Sequence, residues 1–134
     1  MMKLIKRDEI DGHGMCAVYL VRWTLSLGKW KVYLHHFLGD DWTPDFHDHP
    51  HRFWSIGLWG RYLEDTPAGT REWRAPWVRT FPGEHRHRVR NANGAWTLCI
   101  VGPPVRQWGF WLNGTQWIHW REYVDRFGRS RRDC

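Results

Sequence analysis

Histidine is the residue type here with chemistry to offer, and its spacing is informative. Of nine histidines, five fall in two short clusters: His47-Asp48-His49-Pro50-His51 and His85-Arg86-His87. On a β-strand, residues i and i+2 point to the same face, so His47 and His49 can aim two imidazoles at one point. His85 and His87 can do the same from another strand. Two or three neutral imidazoles converging inside a barrel make a site for a divalent transition metal, with Fe(II) and Zn the leading candidates. His85 and His87 lie one strand period apart and compete for the third position. His51 has matching parity, but Pro50 breaks the register before it. The competing reading is a solvated histidine cluster in a polar loop.

Other side chains could complete such a site. Tyr33 and His35 share a strand face and can line the pocket, unless His36 is the inward residue. Asp48 sits between two candidate ligands and points away from them, where it can orient an imidazole or cap a loop. Arg79 and Arg88 can take a carboxylate or phosphate of a ligand, or simply solvate the surface. Tryptophan is the compositional outlier, with 12 copies and aromatics at 16%. Trp54, Trp59, Trp96, Trp108 and Trp111 lie in strand-like runs and can fill a barrel or its pocket. The net charge of +6 permits an anionic ligand. Stacking on a base is open to the tryptophans, but an ordered basic–aromatic groove is not something the sequence shows, so nucleic acid is not the expected partner. Cys16, Cys99 and Cys134 are odd in number and lack CxxC spacing, which argues against a disulfide scaffold or a cysteine zinc site. GxSxG, P-loop, GxGxxG and HExxH motifs are absent.

These residues need elements to hold them, and the pattern is β throughout. Residues 17–25 and 29–38 are rich in β-branched and aromatic side chains, with Ser26-Leu27-Gly28 as a tight connection between them. Further strand-like runs lie near residues 52–58, 61–64, 70–74, 77–81, 87–90, 95–101, 107–111 and 116–120. Turn chemistry separates them, as at Pro82-Gly83 and Asn113-Gly114. Only residues 119–129 look helical, stopping near Gly128. About eight to ten short strands imply a sandwich or barrel. A 134-residue chain of 16.3 kDa is the size of one domain, with a core expected over about 15–120 and a basic tail over 126–134. No apolar run approaches the ~18–20 residues of a membrane span, and no signal peptide is evident, so a cytoplasmic location is expected.

The two histidine clusters resemble the two cupin motifs. The first motif is G(x)5HxH(x)3–4E(x)6G. Here His47-Asp48-His49 gives the HxH, Phe53 stands at the glutamate position, and Gly60 closes the motif. The second is G(x)5PxG(x)2H(x)3N, matched by Pro82, His87 and Asn91, with Glu84 at the inner glycine position and Pro76 at the opening one. The chain is also similar to a set of small cupin-like proteins from phages and bacteria. The similarity runs over roughly residues 31–123, through Tyr33-Leu34-His35, the HDHP at 47–50 with Phe53 and Ser55, His87-Arg88-Val89, Trp96-Thr97-Leu98 and the 106–110 stretch.

The resemblance implies an all-β, cupin-like jelly-roll barrel (a double-stranded β-helix) with one metal near its centre. It makes His47, His49 and His87 the ligands, since spacing from Pro82 and to Asn91 favours His87 over His85. Without the cupin glutamate this is a three-His site, as in thiol dioxygenases. Open positions on such an ion suit a dioxygenase acting on a small anionic substrate. The alternative is a non-catalytic cupin module that sequesters a small ligand or serves a phage particle. Cupin-like barrels often pair through an edge strand, so a homodimer is expected.

Overall fold

Runs rich in Val, Ile, Trp, Tyr and Phe form strands because a pleated, half-buried surface accepts such side chains. The computed structural model describes residues 5–10, 18–40, 44–90, 92 and 94–127. Within them run β1 (Ile5–Ile10), β2 (Leu20–Leu27), β3 (Trp30–Phe37), β4 (Phe46–His47), β5 (Phe53–Trp59) and β6 (Arg61–Thr66). Then come β7 (Gly69–Arg74), β8 (Trp77–Phe81), β9 (Arg88–Arg90), β10 (Trp96–Val101), β11 (Gly109–Leu112), β12 (Gln116–His119) and the helix α1 (Trp120–Phe127). Asn91 and the tail from 128 onward lie outside the described residues.

The first layer is an antiparallel sheet in the order β1-β2-β3-β10-β5-β8. Leu27 pairs with Trp30, so the β2–β3 turn is Gly28-Lys29, slightly later than the sequence suggested. Gly28 has φ of +63°, a conformation that costs glycine little. β1 falls outside the expected core. All six of its residues nonetheless pair in register with β2.

The second layer consists of two three-stranded sheets, β12-β11-β4 and β7-β6-β9. An antiparallel bridge between His47 and His87 stitches them together. Each of these residues donates its peptide N–H to the other's carbonyl, both at 3.0 Å. Directly opposed residues of an antiparallel pair send their side chains to the same face. The two histidines are therefore carried to one side of the layer by backbone geometry alone.

The core lies between the layers. Leu20, Phe37, Tyr62, Trp77 and Val89 form its main cluster. Phe53, Phe81 and Val101 form a second, beside the histidines. The helix closes one end: Tyr123 is fully buried, stacks on Phe110 at 4.0 Å and donates its hydroxyl to Asp45 at 2.6 Å. The tryptophans expected in the barrel interior are placed differently. Trp54 and Trp59 are 45% and 70% exposed on the outer face of β5. Trp96 stacks between Trp23 and His36. Trp108 stacks on Trp120, and Trp111 lies under Arg86.

Candidate metal centre

His47 and His87 face each other across the bridge, and His49, two residues on, joins them. Ring centroids are 5.2 Å apart for His47 and His49, 4.9 Å for His47 and His87, and 5.0 Å for His49 and His87. One ligand atom from each residue lies within 4.8 Å of the other two. Hydrogen bonds settle which nitrogens are spent. His49 donates Nδ1–H to the His85 carbonyl at 3.1 Å. His87 donates Nδ1–H to Glu64 Oε2 at 2.6 Å. Both imidazoles therefore leave Nε2 for an ion, the arrangement typical of metal-ligating histidines. Burial, then the neighbouring His87, holds the pKa of His47 and of His49 well below the ordinary value, so both are neutral as coordination requires.

Glu64 is the residue the sequence reading missed. It is 3% exposed and takes three bonds: from His87, from His85 Nε2–H at 2.9 Å, and from Arg79 at 2.8 Å. Burial alone would raise its pKa, but hydrogen bonds from His85 and His87, the His87 charge and Arg79 hold it well below the usual carboxylate range. Glu64, His85 and His87 form a second cluster of ligand atoms. In it the facing nitrogens of both histidines are already spent on the same carboxylate oxygen. In the three-imidazole cluster His49 and His87 spend only Nδ1 on the His85 carbonyl and Glu64, and that cluster is the better fit for an ion. His85 thus stands behind the cluster, its carbonyl on His49 and its ring on Glu64.

No protein-family model and no curated protein matches the chain. Solved structures do. The nucleoside dehydratase Pac13 from Streptomyces matches with a TM-score of 0.61 and 10% identity, over 91% of this chain and 93% of that one. An RmlC-like cupin from Shewanella frigidimarina matches at 0.56 and 16% identity, over 77% and 87%. KdgF from a Halomonas species matches at 0.58 and 10% identity, over 75% and 89%.

The fold is cupin-like.

Against the cupin motifs, the residues that depart from the pattern have identifiable work. The Phe53 ring, at the glutamate position, packs on His49 at 4.5 Å and on Phe81 at 4.9 Å. Gly83, one residue before the expected glycine, accepts the His49 peptide N–H at 2.9 Å. A Cβ on Gly83 would come within 2.9 Å of the His49 carbonyl, so glycine is required there. Asp48 orients no imidazole. It is 1% exposed and accepts from the Gly109 N–H and the Trp111 and Trp117 indoles at 2.7, 3.1 and 3.0 Å, with Arg106 at 3.3 Å. Arg106 also donates to the His49 carbonyl at 2.8 Å.

The imidazoles open into a cavity of about 200 Å³. Tyr33, Phe37, Phe53, Tyr62 and Phe81 give it aromatic walls, and no tryptophan lines it. Tyr33 and His35 both line it, while His36 stacks on Trp96 outside. His51 also reaches it despite Pro50. Cys99 lies in the wall, its thiol pushed up to about 11 by burial, so it is a neutral group there. The arginine expectations change. Arg79 is not in the wall: it pairs with Glu64 and is sandwiched between Trp73 at 3.4 Å and Phe81 at 4.1 Å. Arg88 lies 3.8 Å from Asp65. The cation in the wall is Arg22, which the sequence reading did not single out.

Proposed function

We propose that this chain is a mononuclear metal-dependent enzyme of the oxygenase class, acting on a small anionic substrate. One observation carries the reading: three imidazoles, two of them held through Nδ1 so that Nε2 is left for an ion, converge at the wall of an aromatic cavity. His47, His49 and His87 would hold the ion, Fe(II) or Zn. When bound, the ion supplies Lewis acidity and, as iron, redox chemistry with dioxygen. The chain's own residues do the rest. Glu64 fixes the tautomer of His87 and returns one negative charge to the site. Phe53 and Phe81 exclude water from one side of the cluster and leave no protein carboxylate directly on the ion.

The second reading is hydro-lyase chemistry on zinc. The overall similarity to Pac13, a nucleoside dehydratase, across nearly the whole chain supports the hydro-lyase part of this reading, and zinc is added from the imidazole cluster alone. Elemental analysis of untagged protein separates the readings. Iron at about one per chain, with oxygen consumed on substrate addition, supports the oxygenase. Zinc without oxygen uptake supports the lyase. Absence of any transition metal at full occupancy of chelator-free buffer overturns both and leaves a non-catalytic module.

A further inference from the structure

We propose that Arg22 anchors the carboxylate of a small ring-bearing acid whose other end reaches the three-imidazole cluster. The second half of that statement rests on the metal-binding reading above; the first stands on its own geometry.

Arg22 lies on β2 between Leu20 and Thr24, on the face that buries both. Its Nε–H donates to His35 Nε2 at 3.0 Å, and its guanidinium lies 4.4 Å over the Tyr33 ring. These contacts fix the plane of the fork, and among the described residues no acceptor meets its two terminal amino groups. Asp8 is its cross-strand neighbour in register, but that carboxylate lies 3.6 Å from Lys6 instead. His35 does not neutralise the cation either. Burial, then the charge of Arg22, pushes its pKa down to about 3, so it is an uncharged acceptor. His51 lines the same cavity, and its Nδ1 is buried with no hydrogen-bond partner.

A guanidinium in the wall of an aromatic cavity, with no carboxylate bonded to it among the described residues, favours an anionic ligand. The planar fork of arginine matches the two oxygens of a carboxylate. Size narrows the class further. An apolar cavity of roughly 150 Å³ accepts benzene, so about 200 Å³ holds one ring and a carboxylate. The walls of Tyr33, Phe37, Phe53 and Phe81 suit the ring.

Benzoate and its uncharged isostere benzamide test the idea by calorimetry on zinc-loaded protein. The wild type should bind benzoate at least about tenfold more tightly than benzamide. Arg22→Gln should erase that preference with zinc content unchanged, and Arg22→Lys, which keeps the charge but loses the fork, should retain only part of it. His49→Ala should lose zinc yet keep the Arg22-dependent preference. Wild-type benzoate affinity in Arg22→Gln overturns the anchor and leaves the metal reading intact. An Arg22-dependent preference in a wild type that takes up no zinc supports the anchor and overturns the metal reading. No benzoate binding to the wild type at tens of millimolar overturns the anchor.

Discussion

Removing the charge of Glu64 while keeping its shape separates its role from that of the ligands. Glu64→Gln leaves an amide opposite the His87 Nδ1, so the imidazole loses its charge-assisted partner. Metal affinity should fall by roughly 10–100-fold, the usual cost of losing such a partner. Zinc titration against a competing chelator measures it, and an unchanged affinity would show that His87 is oriented by something else. Acid has a second effect, read most directly in the metal-free protein. His35 is pushed down to about 3 by burial and Arg22, whereas an unfolded histidine titrates near ~6.5. A depressed histidine pKa means that the unfolded chain binds more protons below ~6.5. Stability is then complete above that pH and falls below it, by about 1.4 kcal/mol per pH unit for this one group. His47 and His49 act in the same direction. Urea unfolding at pH 7, 6 and 5 should show this decline; equal midpoints would overturn it. The histidine clusters were legible because HxH spacing survives in any strand. Glu64 was not, because a buried carboxylate is explained only by His85, His87 and Arg79 arriving from other parts of the chain.

At the scale of elements, the site depends on how β4 is held. The His47–His49 segment is pinned from the side opposite the imidazoles, through the Asp48 carboxylate and its four donors on the segment that ends in β11 and β12. Asp48→Ala leaves two indole N–H groups, a peptide N–H and a guanidinium without their acceptor. The cost should be about 3–5 kcal/mol, the range for breaking a buried charged pair, with weakened metal binding as a consequence. A thermal melt with Tm within a few degrees of the wild type would overturn this account. Most strands could be read from β-branched and aromatic runs between turns, and the helix from its stop near Gly128. β1 could not, because Lys6, Arg7, Asp8 and Glu9 pair through their backbones, which composition does not reveal. The indole partners of Asp48 were equally hidden, since they lie far along the chain and meet it only in the folded sheet.

At the scale of the whole molecule, the outer face of the six-stranded sheet stands out. Trp54, Leu58, Trp59 and Val78 are 45–70% exposed on it, and Leu34, Leu98 and Ile56 lie in register between strands of the same face. Six strands at about 4.8 Å spacing and some 20 Å of length give a face of about 500 Å². Two such faces approach the ~1,000 Å² that a specific interface needs. β1, an edge strand, carries alternating charges that discourage edge pairing. A second copy, face to face, is therefore the occupant expected here, rather than the edge-paired dimer the strand pattern first suggested. Light scattering at tens of micromolar should give twice the 16.3 kDa chain mass, and Trp54→Glu with Val78→Glu should give a monomer that still binds metal. A monomeric wild type would overturn it. No described helix is long and apolar enough to cross a membrane. The bridge between His47 and His87 has one more consequence, for traffic. An ion held by His47 and His49 on one side of that seam and His87 on the other would rivet the two halves of the layer together. A ligand bound for such an ion could not part them without losing it, so it would have to enter through another part of the cavity lining.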